Sequence, residues 1–167
     1  MIYSFFNLIN KYLPFKTVSA HCDIPCKIYD PMNAQISVLT MIRICDLIEE
    51  LDSKNTDHVN DKAQFSRLIA QKEEHGVKVK EEIRVIWGDY IKQPQLEKFP
   101  ELHELAHSIM LNASKAKQEV NKDVTIELLE KVNRFAEIFW TTKDIKTYKA
   151  VCPYPPAKEI IYPDLKE

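Results

Sequence analysis

Two thiols and one imidazole fall within six consecutive residues of this chain, at the head of the stretch His21-Cys22-Asp23-Ile24-Pro25-Cys26-Lys27-Ile28-Tyr29-Asp30-Pro31. Pro25 and Pro31 stiffen it, so it reads as a loop rather than a helix end. Thiolates are soft donors, and imidazole suits zinc, copper, iron and nickel. Three side chains leave a structural zinc site one ligand short, and such sites usually draw a second ligand pair from further along the chain. His58, His75, His103 and His107 are the remaining histidines, and none has a cysteine partner at zinc-finger spacing.

Cleavage after Ala20 changes the donor count. His21 then offers an α-amine as well as its imidazole, and the amide nitrogen of Cys22 lies between two anchored donors. An amine, an amide nitrogen and two thiolates can form a square plane, the geometry expected of nickel(II), with the imidazole free to approach along the axis. Two other readings stay open on these residues. Cys22 and Cys26 could bind zinc or pair with each other in a non-catalytic helical interaction protein, or the chain could be a secreted bundle that binds a receptor. Cys45 and Cys152 stand apart, so the four cysteines do not look like a disulfide framework. Cys45 lies at helical spacing among apolar residues and is most simply a buried side chain. Cys152 has no assigned role.

The body that must position this loop reads as four helices. Over residues 34–51, Ala34, Val38, Met41, Cys45 and Ile48 recur at spacings of three and four, and Asp52-Ser53-Lys54-Asn55 stops the run. A second helix carries Phe65, Leu68, Ile69, Val79, Ile83, Ile86, Trp87 and Tyr90 on one stripe and is expected to end at Pro94. Pro100 is placed in the first turn of a third helix, which buries Leu102, Leu105, Ala106, Ile109, Ala113 and Ala116. Asp123 or Thr125 can cap a fourth, with Leu128, Val132, Phe135 and Phe139 on one face and Leu129, Ala136 and Trp140 beside them. Short connections favour antiparallel neighbours, so the fold class is all-α, an antiparallel four-helix bundle with an N-terminal loop. Beyond Thr142, Pro153, Pro155, Pro156 and Pro163 keep the tail from being helical, and it is expected to run extended over the surface.

Bulk properties agree. A chain of 167 residues is a prior for one domain with a real core. Two glycines, Gly76 and Gly88, are too few for the turns of a β-rich fold. The net charge of −2 implies no nucleic-acid partner, and no run is long enough to cross a bilayer. Residues 1–20 are apolar and aromatic, contain no acid and end in Ser19-Ala20. Removing them with Lys11 and Lys16 takes the charge to about −4. Val18-Ser19-Ala20 resembles a secretory cleavage site, but no positive charge follows Met1 before Lys11, and Asn7 and Asn10 interrupt the apolar stretch. A first amphipathic helix packed on the body is the plainer alternative.

The loop resembles the hook motif H-C-D-x-P-C-x-x-Y-D-P of nickel superoxide dismutases at all its fixed positions. Trp87-Gly88-Asp89-Tyr90 with Pro94, then Glu97-Lys98-Phe99-Pro100-Glu101-Leu102-His103, is similar to that family's connection between its second and third helices. Phe139-Trp140 with Thr142-Lys143 resembles the end of its fourth helix. The likeness covers roughly residues 21–143.

That resemblance implies a nickel-dependent superoxide dismutase, divided into a leader (1–20) that a maturation protease removes, a nickel hook (21–31), a bundle (32–143) and a proline-rich tail (144–167). Nickel would be held by the His21 amine, the Cys22 amide and the Cys22 and Cys26 thiolates, with the His21 imidazole axial in the oxidised state. A cis bond before Pro25 is implied. Tyr29 and Tyr90 would flank the metal's open face and order water, and Asp23 would tie the hook to the protein. Superoxide would be the substrate, the assembly a homohexamer with Trp87 and Phe99 near subunit contacts, and the location cytoplasmic. The chain departs from the family pattern where a glutamate and an arginine help hold the axial imidazole, positions that fall on Ser37 and His75. His75 lies on the apolar stripe and either takes over that role or simply packs. Lys27 replaces a usual glycine.

Dismutation alternately oxidises and reduces superoxide, so the metal must cycle between two oxidation states. Anionic thiolates and a deprotonated amide donate enough electron density to stabilise nickel(III), which water alone does not, and their deprotonation makes metal uptake pH-dependent.

Overall fold

The computed structural model describes residues 27–54 and 58–165. The chain is mostly helical: α1 spans Met32–Asp52, α2 Val59–Val85, α3 Gln93–Lys98, α4 Leu102–Gln118 and α5 Lys122–Thr141, followed by strands β1, Thr147–Val151, and β2, Glu159–Pro163. Among the four long helices, α1 packs on α2 and α5, and α4 packs on the same two. The shared core takes Val38, Met41 and Ile42 from α1, Val79 and Ile83 from α2, Ile109 and Ala113 from α4, and Leu128, Val132, Phe135 and Phe139 from α5. Burying an aliphatic or aromatic side chain contributes about 1.5–3 kcal/mol, so these stripes hold the helices together.

Polar contacts fix the helix ends. His58 Nδ1 accepts from Asn60 N–H at 3.2 Å, with Asp61 in the first turn. The fourth long helix is capped by Asn121, whose side-chain oxygen accepts from the N–H groups of Asp123 and Val124 at 3.0 and 3.2 Å. Neither Asp123 nor Thr125 is the cap. Thr125 is buried and donates back to the Asn121 carbonyl at 2.9 Å. At the far end of α4, the fully buried Lys72 donates from Nζ to the carbonyls of Ala116, Lys117 and Glu119 at 2.6, 2.6 and 2.9 Å. A cation there satisfies carbonyls the helix leaves unpaired and opposes its dipole. Gly76 lets this corner close, because a Cβ there would strike the stem of Lys117.

The structure also departs from the sequence expectation along α2 and at Pro94 and Pro100. Phe65 is 43% exposed, and Leu68 and Ile69 are only half-buried. Lys72 already reaches the last carbonyls of α4, so the turns before it extend past that helix's end and have less to pack against. Pro94 does not end α2. The helix tightens into a π-helical turn, Ile86–Tyr90, and Pro94 lies in the first turn of the short α3. Pro100 falls just ahead of α4, not inside it.

The tail is non-helical as expected, but it is not a loose surface strand. β1 and β2 pair antiparallel from Thr147↔Pro163 to Val151↔Glu159, and Ile160, Ile161 and Cys152 join the core. Pro153, Pro155 and Pro156 fall at the hairpin's turn and Pro163 at the last ladder position, so the prolines leave the pairing between intact.

Candidate metal centre

Of the proposed ligands and their neighbours, His21, Cys22, Asp23 and Cys26 lie outside the described residues, as does the bond before Pro25. The described chain begins at their exit, with Lys27 at φ 57°. That left-handed conformation suits glycine, which explains why a glycine is usual in the motif and shows that lysine adopts the same turn. Asp30 Oδ1 then accepts from Met32 N–H at 2.8 Å, and the Pro31 carbonyl accepts from Gln35 N–H at 3.2 Å. The Asp-Pro pair therefore starts α1 directly behind the loop.

Tyr29 and Tyr90, paired from the sequence, are brought together: their ring centroids are 5.7 Å apart. The π-helical turn, closed by the Ile91 N–H to Ile86 carbonyl bond at 3.1 Å, sets Tyr90 at the end of α2. Tyr90 also meets Phe139 at 5.1 Å, and Phe139 meets Trp140 edge-on at 5.1 Å. Two residues without an assigned role complete the cluster. Tyr90 Oη lies 2.7 Å from Thr142 Oγ1, and the Lys143 ammonium lies 4.7 Å from the Tyr90 ring centroid and 5.1 Å from that of Phe139. Thr142 donates its one proton to the Phe139 carbonyl at 2.6 Å, so Tyr90 donates to Thr142 and keeps its lone pairs to accept from water. The sequence signal for both was the Phe139-Trp140-x-Thr142-Lys143 pattern.

Ser37 and His75 do not form an obvious pair. Ser37 Oγ donates to the Asn33 carbonyl at 2.8 Å, and His75 Nδ1 lies 2.8 Å from the Gln71 carbonyl, so each bonds its own helix. With its Nδ1 proton used there, His75 retains Nε2 as an acceptor, and the residue is half-buried rather than part of the core. Trp87 Nε1 donates to His103 Nδ1 at 3.0 Å, with the rings edge-on.

Neither remaining cysteine competes as a ligand. Cys45 is fully buried, its Sγ 3.9 Å from Thr125 Oγ1, and burial pushes its thiol pKa up. Cys152 is buried with Sγ 3.2 Å from the Tyr154 carbonyl. Among the described residues, no group of three or more His, Cys, Asp or Glu is arranged to hold a metal ion. No described helix is long and apolar enough to cross a membrane.

Known proteins align with both the chain and its fold. The family described as nickel-containing superoxide dismutase matches residues 16–143. A "Superoxide dismutase [Ni]" of Streptomyces coelicolor is 34% identical over 133 residues, 79% of this chain and 95% of the relative. One of Streptomyces seoulensis is 32% identical over the same shares. The solved native structure of a nickel superoxide dismutase superposes with a TM-score of 0.63 at 30% identity, covering 74% of this chain and 99% of that one. A structure with nickel ligation corresponding to the oxidised state gives the same values.

Proposed function

The chain belongs to the family of nickel-containing superoxide dismutases, and from that premise we propose how its own residues perform the reaction. The activity is conversion of superoxide to dioxygen and hydrogen peroxide, with nickel as the cofactor. Bound nickel supplies the one-electron couple between its two-plus and three-plus states that both half-reactions need.

The donor chemistry of residues 21–26 fits that metal. Mature protein begins at His21 after a protease removes residues 1–20. The His21 amine and imidazole, the Cys22 amide nitrogen and the Cys22 and Cys26 thiolates would hold nickel, their electron-rich donors favouring its higher oxidation state. Asp23 ties the hook to the body. Tyr29 and Tyr90 line the approach, where Tyr90, its proton committed to Thr142, accepts from water at the point where peroxide must gain protons. His75, through its remaining Nε2, helps orient the axial imidazole in place of the usual arginine. The left-handed backbone at Lys27, directly after the proposed ligands, supports a tight turn at the hook's exit.

The four long helices form an antiparallel bundle that carries this hook at one end. Gln35 meets Asn133 while Asp46 meets Lys122, which supports opposite directions for α1 and α5. Glu101 meets Arg134 at 2.7 Å, and Lys80 meets Ser114 at 2.9 Å, which supports the same for α4 against α5 and α2. The protein works as a homohexamer in the cytoplasm.

The observation that carries this reading is the family match together with the complete hook motif at residues 21–31. Its test is the pair Cys22→Ser and Cys26→Ser. Each should abolish nickel binding and superoxide turnover by pulse radiolysis while circular dichroism shows parental helicity. Cys45→Ser and Cys152→Ser should keep nickel and activity. Loss of nickel in Cys152→Ser would mean the ligand set is wrong.

A further inference from the structure

The C-terminal hairpin lies beyond the region shared with the family, which ends at residue 143, yet it is joined to the helix that carries the hook. The joint is a buried amide pair. Gln35, in the first turn of α1 and fully buried, donates from Nε2 to Asn133 Oδ1 at 3.0 Å and to the Ile161 carbonyl of β2 at 3.0 Å. Asn133, 2% exposed, donates from Nδ2 to the Glu159 carbonyl at 3.0 Å and accepts from Ile161 N–H at 3.3 Å. Both Gln35 amide protons, one Asn133 amide proton and both lone pairs of Asn133 Oδ1 are thus directed, and a buried amide with these partners has one stable orientation. Apolar packing adds area but no direction. These bonds fix the rotation of α1 about its own axis relative to α5 and β2. Only three residues separate Gln35 from Pro31, where the hook ends.

We propose that the hairpin is a clamp, and that Gln35 and Asn133 are positioning residues which set the direction in which α1 presents the nickel hook to Tyr29 and Tyr90. This rests on the hook assignment above. Cys22 and Cys26 would supply the bonds to nickel, and the clamp would supply the fixed base from which the hook closes. Groups that orient metal ligands without touching the metal typically change affinity by 10–100-fold, which sets the size of effect to expect.

The test uses the processed, nickel-loaded protein and two nearly isosteric changes. Gln35→Glu puts carboxylate oxygens against the Ile161 carbonyl and Asn133 Oδ1. Asn133→Asp sets one carboxylate oxygen against the Glu159 carbonyl but lets the other keep accepting from Gln35 and Ile161 N–H, so it is the milder change. Leu128→Ala is the control, a buried cavity one turn from Thr125, towards the other end of the α1–α5 contact. Nickel release to excess EDTA, thermal melting and amide hydrogen exchange of residues 27–37 are read on the same samples. Gln35→Glu should release nickel about tenfold faster and Asn133→Asp several-fold faster, while Leu128→Ala releases at the parental rate despite a comparable fall in Tm. Exchange at residues 27–37 should rise in the two clamp variants alone. Release and exchange that follow Tm equally in all three variants would overturn the clamp. A parent that binds no nickel would contradict the hook assignment instead, and the exchange data would still decide whether Gln35 and Asn133 hold the first turn of α1.

Discussion

His21 would bind nickel through two different nitrogens, and one substitution separates them. His21→Gln keeps the α-amine, the amide and both thiolates, so about one nickel per chain should remain bound. Turnover should fall by orders of magnitude, because the donor that is lost matters only in the oxidised half of the cycle. His75→Ala should give a weaker form of this, roughly a tenfold loss with nickel retained. Pulse radiolysis with nickel quantified in the same samples checks both, and full activity in a well-folded His75→Ala would return that residue to a packing role. The proposed ligands could be named from the sequence because they fall within one short loop: a chelating loop writes its chemistry into nearby residues. Tyr90's partner was not, since Thr142 lies 52 residues away and its hydroxyl could have faced many neighbours. Ser37 and His75 are equally mute in sequence, because a family position that has changed residue type announces only that something else now stands there.

Helices were read from their apolar period, and α1, α4 and α5 bury the residues that the period selects, apart from Leu105 of α4, which is half-buried. The same signal overreached in α2, where Phe65 continues the stripe past the end of its partner helix. Lys72 shows the opposite failure. A lysine reads as solvated surface, and only the fold reveals the α4 carbonyls it covers. Burial pulls its pKa below the usual lysine value, while three carbonyl oxygens favour the charged form. Lys72→Met would keep the stem and strip the cation, orphaning those carbonyls. The expected loss is about 2–3 kcal/mol, a fall in Tm on the order of 5–10 °C, read by thermal denaturation. A parental melting curve would show that water replaces the ammonium at no cost. The hairpin was illegible for a related reason: its prolines pointed to an extended surface segment, yet Pro153, Pro155 and Pro156 gather at the turn, Pro163 ends β2, and Ile160 and Ile161 enter the core.

At the scale of the whole molecule, the proposed function makes two demands that can be measured, assembly and maturation. Sedimentation of mature protein should give a hexamer, with the half-buried Trp87 and Phe99 covered further by neighbouring copies. A fully active monomer would show that assembly is not needed to shape the site. The more direct question is the chain's first residue, because the proposed donor set includes a free amine at position 21. Intact mass and metal analysis of protein purified from its own host addresses this in one experiment. A chain beginning at His21 with one nickel bound is the predicted result, and an active, nickel-loaded chain beginning at any other residue would contradict it.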